Sequence, residues 1–178
     1  MVQPGDDDAT RLALTAQGGD PIALAALVRA TQSQVWRLCA ALSDIDSADD
    51  LTQETYVRAM RALPGFAGRS TVRTWLLGIA RRVCADHVRG LVRRRRLDER
   101  LAARRPGAES DGSDLTALRD LLDRLPETQR SAFVLTQVVG LSYAEAAVVD
   151  NVAVGTIRSR VARAREHLVN AWRRATVA

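Results

Sequence analysis

Lysine is absent from this chain, and all 26 of its basic residues are arginine. Its cationic contacts therefore rest on a planar, permanently charged fork that suits phosphate and base edges, although a GC-rich coding bias accounts for the same choice more simply. Cysteine is nearly absent. Cys39 and Cys84 are the only two, which excludes a disulfide framework and predicts free thiols buried as small apolar groups. Cys84 and His87 have a C-x-x-H spacing, but no second pair completes a metal site, so no metal is expected. His87 and His167 are the only histidines. With no Gly-rich phosphate loop and no nucleophile elbow, neither an enzyme nor a cofactor is expected. No apolar run approaches the ~18–20 residues that cross a bilayer. Met1–Thr10 holds three consecutive aspartates and no basic leader. A cytoplasmic protein without membrane insertion is expected.

What is present is charge in blocks. Residues 1–60 carry a net −5, residues 61–105 a net +10, residues 106–151 a net −5, and residues 152–178 a net +5. Two separate basic blocks point to two contacts with a polyanion. Apolar residues recur at helical spacing, and the alternation of half-buried strands is missing, so the chain reads as all-α. Asp20-Pro21 signals a first helix, with Leu24, Leu27, Val28, Val35, Leu38 and Leu42 on its apolar side. A second helix is expected from Ser47 to Leu63, with Ser47 and Asp50 at capping-box spacing and Pro64-Gly65 ending it. In the third, Val72, Trp75, Leu76, Ile79, Ala80, Val83 and His87 fall on one stripe at ~100° per residue. Arg81 and Arg89 lie off that stripe, and Trp75 reads as core.

Arg93-Arg94-Arg95-Arg96 leads into a stretch rich in Pro, Gly, Ser and mixed charge, read as a flexible linker over 98–113. Leu115, Leu118, Leu121, Leu122 and Leu125 make the next amphipathic helix, stopped by Pro126. Residues 127–139 make another, stopped by Gly140. Ser142-Tyr143-Ala144-Glu145 is a capping box opening a short helix from Tyr143 to Val149. Asp150-Asn151 tolerates a left-handed turn, and a second helix runs from about Gly155-Thr156 to Arg174. Ile157, Val161, Ala164 and Leu168 form its buried stripe. Arg158, Ser159, Ala162, Arg163 and Glu166 lie on the remaining face. Two short helices and a tight turn, the second helix basic, suit a helix-turn-helix entering a major groove. A charged, solvated face on an ordinary helical bundle accounts for the same pattern without DNA.

Leu141-Ser142-Tyr143-Ala144-Glu145, Val154-Gly155-Thr156-Ile157-Arg158-Ser159-Arg160 and Ala164-Arg165 resemble the −35-reading domain of extracytoplasmic-function sigma factors, as does Leu125-Pro126-Glu127 with Gln129-Arg130 before it. Asp49 to Thr55 resembles the polymerase-binding helix of that family. Phe66, Arg73-Thr74-Trp75-Leu76, Ile79-Ala80-Arg81, Asp86 and Arg89 resemble its melting and −10-reading segment. The resemblance implies two small helical domains joined by a flexible linker, the C-terminal one a helix-turn-helix. It implies core RNA polymerase and promoter DNA as partners, with an anti-sigma protein as a third. Asp49, Asp50, Leu51, Gln53 and Glu54 would meet the coiled coil of the largest polymerase subunit. Phe66, Arg69, Ser70, Arg73, Arg81, Arg82, Asp86 and Arg89 would meet the −10 element, Phe66 by stacking on a base. Thr156, Arg158, Ser159, Arg160, Ala162, Arg163 and Arg165 would meet the −35 element. Arg82 stands where many members have asparagine, and Asp150-Asn151 replaces the more usual Leu-Gly.

The expected layout is a tail over 1–19, a polymerase-binding and −10-reading domain over 20–97, a linker over 98–113, a −35-reading domain over 114–174 and a tail over 175–178. The competing reading is a stand-alone helix-turn-helix regulator with an N-terminal sensing domain, which has no need of the acidic helix at Asp50–Glu54.

Overall fold

The computed structural model describes residues 4–101 and 121–176, and among these there is no strand. Four helices build the N-terminal domain: α1 Pro4–Gln17, α2 Pro21–Leu42, α3 Ile45–Ala62 and α4 Val72–Leu101. A single 3-10 turn, Leu63–Gly65, follows α3. The C-terminal domain has α5 Glu127–Phe133, a π turn at Val134–Val138, α6 Tyr143–Asp150 and α7 Val154–Thr176. Residues 102–113 of the expected linker, and 114–120 of the leucine-rich helix after it, lie outside the described residues; Leu122 and Leu125 are buried.

Each start has a chemical cause. The Asp20 carboxylate accepts from the N–H groups of Ile22 and Ala23 at 2.8 and 3.2 Å, with Pro21 at the first helical position. Helix α3 starts two residues earlier than expected. Its cap is Asp44, which accepts from Ser47 N at 2.6 Å, so Ser47 lies in the first turn instead of capping it. Helix α4 begins where Thr71 Oγ1 accepts from Thr74 N and Thr10 Oγ1 of α1 accepts from Val72 N at 3.1 Å.

That last bond belongs to the main correction in this domain. Residues 4–17, expected as part of a tail, form a helix packed on α2 and α4 through Ala9, Ala13 and Ala16. A stripe of alanines allows close approach but carries little hydrophobic contrast, so periodicity alone does not reveal it. Gln17 at its end donates to the carbonyls of Leu63 and Phe66 at 2.9 and 2.6 Å, fixing the α3–α4 connection.

The core is continuous. Leu38, Leu76 and Leu77 are at most 1% exposed, and each such leucine contributes about 1.5–3 kcal/mol relative to exposure. Tyr56, whose hydroxyl shares a 2.7 Å bond with Thr31, ties α3 to α2. Cys39 and Cys84 are buried and free. The expected 127–139 helix instead changes register. Val139 N reaches back to Val134 O and Leu141 N to Leu135 O, which widens the last turn before Gly140 at φ +80°.

Candidate nucleic-acid interface

Ser142 and Glu145 close the capping box reciprocally at the start of α6: Ser142 N donates to Glu145 Oε2 at 2.8 Å, and Glu145 N donates to Ser142 Oγ at 3.2 Å. Asn151 then takes the left-handed conformation, φ 54° and ψ 52°, and turns the chain into α7. Ile157, Val161 and Ala164 are at most 1% exposed, which sets the rotation of α7. Arg158, Ser159, Ala162 and Arg163 are consequently exposed together. This row can offer bidentate donors to guanine O6 and N7 in a major groove. Of the other expected −35 residues, Thr156 is half-buried and its carbonyl accepts from Ser159 Oγ at 3.0 Å. Arg165 is exposed and bonds Gln137 Oε1 at 2.9 Å. Arg160 points away from the row, toward Asp150 at 3.2 Å.

The acidic helix is α3. Asp49, Asp50, Gln53 and Glu54 are exposed along it, while Leu51 is in the core and faces no partner. Glu54 accepts from Arg58 Nε at 2.7 Å, and Arg58 Nη1 also reaches Asp86 on α4 at 3.0 Å. Arg89 completes the chain with a 2.6 Å bond to Asp86. The Arg58 guanidinium, with Arg89 beside it, holds the Asp86 carboxyl below the usual carboxylate range. Arg58, which no sequence motif singles out, ties the acidic row to α4; its position four after Glu54 is the signal for the first of these pairs.

The expected −10 residues divide into two groups. Arg69, Arg82, Asp86 and Arg89 are exposed and Ser70 is half-buried. Phe66 is only 6% exposed, its ring against Trp75 with centroids 5.0 Å apart. It is a core residue that pins the loop, and its face is not open for a base. Arg73 is equally buried and donates to Val139 O of the other domain at 2.9 Å. Arg81 crosses the same junction, bonding Asp150 at 2.6 Å and Ser131 Oγ at 3.3 Å. The Asp150 side chain is fully buried and takes Arg81, Arg160 and Ser131 together. The position that departs from the family's usual turn is thus the acceptor at the domain junction, a role invisible in sequence because its partner Arg81 is 69 residues away.

Residues 27–96 match Sigma-70 region 2 and residues 115–168 match Sigma-70, region 4. The ECF RNA polymerase sigma factor SigC of Mycobacterium tuberculosis is 51% identical over 172 residues, covering 92% of this chain and 91% of that one. The chain belongs to the extracytoplasmic-function sigma factors.

Solved structures of other proteins show the same fold. CnrH, in complex with the cytosolic domain of CnrY, superposes with a TM-score of 0.73 at 26% identity, over 92% of this chain and 97% of that one. The sigma factor RpoE of Bartonella quintana, in complex with the anti-sigma factor NepR, gives 0.69 at 28% identity over 82% and 94%. The stand-alone regulator reading falls away, because residues 27–96 of this sigma factor, where that reading puts a sensing domain, match region 2. A sigma factor is an initiation factor; the described residues hold no cluster of three or more His, Cys, Asp or Glu suited to a metal. No described helix is long and apolar enough to cross a membrane.

Proposed function

We propose that this sigma factor docks on core RNA polymerase through the exposed α3 row of Asp49, Asp50, Gln53 and Glu54, reads the −35 element with Arg158, Ser159 and Arg163 of α7, and meets the −10 element with Arg69 of the loop before α4 and with Arg82 and Arg89 on the exposed side of α4. The observation that carries this is the α7 row: three buried residues fix its rotation and leave the two arginines and the serine outward on the second helix of a helix-turn-helix. Its place of work is the cytoplasm, where polymerase and promoters are. The −10-reading unit includes α1 and the whole of α4, so it spans 4–101; residues 98–101, expected as the start of the linker, are the last turn of α4. Arg73 and Arg81 face the second domain, and they reach DNA only when the domains part. An anti-sigma protein is a fitting inhibitor, by likeness to RpoE, which was solved in complex with the anti-sigma factor NepR.

The deciding experiment adds the purified chain to core polymerase and asks for run-off transcripts from genomic fragments. Defined start sites are expected at low salt; their absence, with any co-purified inhibitor removed, refutes the proposal.

Two predictions arise directly from the geometry. Arg163→Ala should weaken −35 recognition by about 1–3 kcal/mol if the guanidinium forks onto a base, measured as binding to selected promoter fragments against mismatched ones. Unchanged discrimination removes Arg163 from the reading face. Charge reversal at Asp50 should weaken core binding on the order of tenfold with the helical circular dichroism intact. Asp50→Arg is a cleaner test than reversal of Glu54, which would also disturb Arg58 and Asp86. Full-strength recruitment of that variant would move the docking face elsewhere.

A further inference from the structure

The four exposed residues of the α3 docking row, Asp49, Asp50, Gln53 and Glu54, are all polar, with Ile45 exposed one turn before them. Interfaces that hold usually place an aromatic or apolar anchor inside a polar rim, and tryptophan is the residue most enriched among such anchors. Trp36 on α2 stands beside this row. Its indole Nε1 donates to Asp49 Oδ1 at 2.8 Å, and 36% of the residue remains exposed. The core of α2 does not need it, because Val35, Leu38 and Cys39 fill that side at 1% exposure or less. The one polar atom of the indole is used inside the chain, so what faces solvent is the apolar ring, held against rotation by the hydrogen bond. A ring already fixed has little conformational freedom left to lose on association. The same bond orients Asp49 and leaves its second oxygen for a cation across the interface. Farther along α3, Val57 and Met60 are 42% and 44% exposed, so apolar surface continues past the acids.

We propose that Trp36 is the apolar anchor of the polymerase-docking surface, seated against an apolar seam of the polymerase coiled coil while Asp49 and Asp50 pair with basic side chains that flank that seam. This rests on the assignment of α3 as the docking helix and adds a contact from α2 that the acidic row does not include.

The test measures binding of the full chain, with a dye at its C-terminus, to core RNA polymerase, comparing the parent with Trp36→Ala, Trp36→Phe and Asp50→Arg. Each variant is checked by circular dichroism and thermal unfolding. Trp36→Ala is expected to bind about 10- to 30-fold more weakly with its helicity unchanged, and Trp36→Phe to stay within about threefold of the parent, since it keeps the ring and loses only the N–H. Hydroxyl-radical oxidation of Trp36 in the parent is expected to fall on addition of core, a protection that a purely structural role would not produce. If Trp36→Ala unfolds, the Phe variant and the oxidation footprint decide. Parent-like binding by Trp36→Ala, loss by Trp36→Phe equal to that of the alanine variant, or undiminished oxidation of Trp36 overturns the anchor. If those occur while Asp50→Arg still weakens binding, the α3 reading survives without it. If Asp50→Arg also binds normally, or the parent does not bind core, both readings fall.

Discussion

Replacing Asp150 by alanine is expected to destabilise the protein by about 3 kcal/mol and to loosen the two domains from each other. The carboxylate has no solvent exposure and accepts from Arg81, Arg160 and Ser131 at 2.6 to 3.2 Å. Removing it strands two guanidiniums that are only about a fifth exposed, which is why the cost approaches that of breaking a buried pair; their residual access to water keeps it at the lower end. Arg160 and Ser131 belong to the same domain as Asp150, whereas Arg81 comes from α4. Arg81→Ala therefore removes only the cross-domain part. Chemical denaturation of both variants separates the two contributions, and small-angle scattering reads the separation of the domains. An expanded particle is expected for both. A compact Arg81→Ala protein would mean that the bond from Arg73 to Val139 O and the apolar contacts hold the junction without the ion pair.

The second large effect is expected from Ile157→Ala. Ile157 is fully buried on the inner face of α7, and deleting its branched chain from a packed site costs about 2–5 kcal/mol. That is a large fraction of the stability of a small domain. Recognition of −35 DNA should be lost through unfolding of the C-terminal domain, while the N-terminal domain keeps its helicity and its affinity for core polymerase. The contrast with Arg163→Ala is informative, since that variant should lose recognition and keep its fold. Amide hydrogen exchange resolved along the chain distinguishes the two. An Ile157→Ala protein with parent-like protection in α6 and α7 would show that the turn and the capping box, not the buried stripe, position the reading helix.

Much of the site was legible because its determinants are local. The capping box at Ser142–Glu145 and the left-handed Asn151 depend on residues within a few positions of one another, and the structure has both. The rotation of α7 follows from Ile157, Val161 and Ala164 recurring at helical spacing. The acidic row on α3 was legible for the same reason, although its cap moved to Asp44, an equally good acceptor three residues before Ser47. Helix α1 escaped because a stripe of alanines has little contrast against its neighbours. Phe66 escaped because an aromatic residue in a loop gives no sign of whether its face is open, and only the position of Trp75 closes it.

By itself the sequence determined an all-α chain, the helix-turn-helix with its outward arginines, the acidic helix and the division of charge into blocks. Each of these follows from backbone propensity and periodic burial acting over one or two turns. Only the tertiary structure decided which charges remain open to a partner. Arg81 and Arg73 turn inward, Arg160 turns back, and Glu54, Arg58, Asp86 and Arg89 join in one chain of ion pairs, because the fate of a charge depends on what packs against it in space and not on its neighbours along the chain.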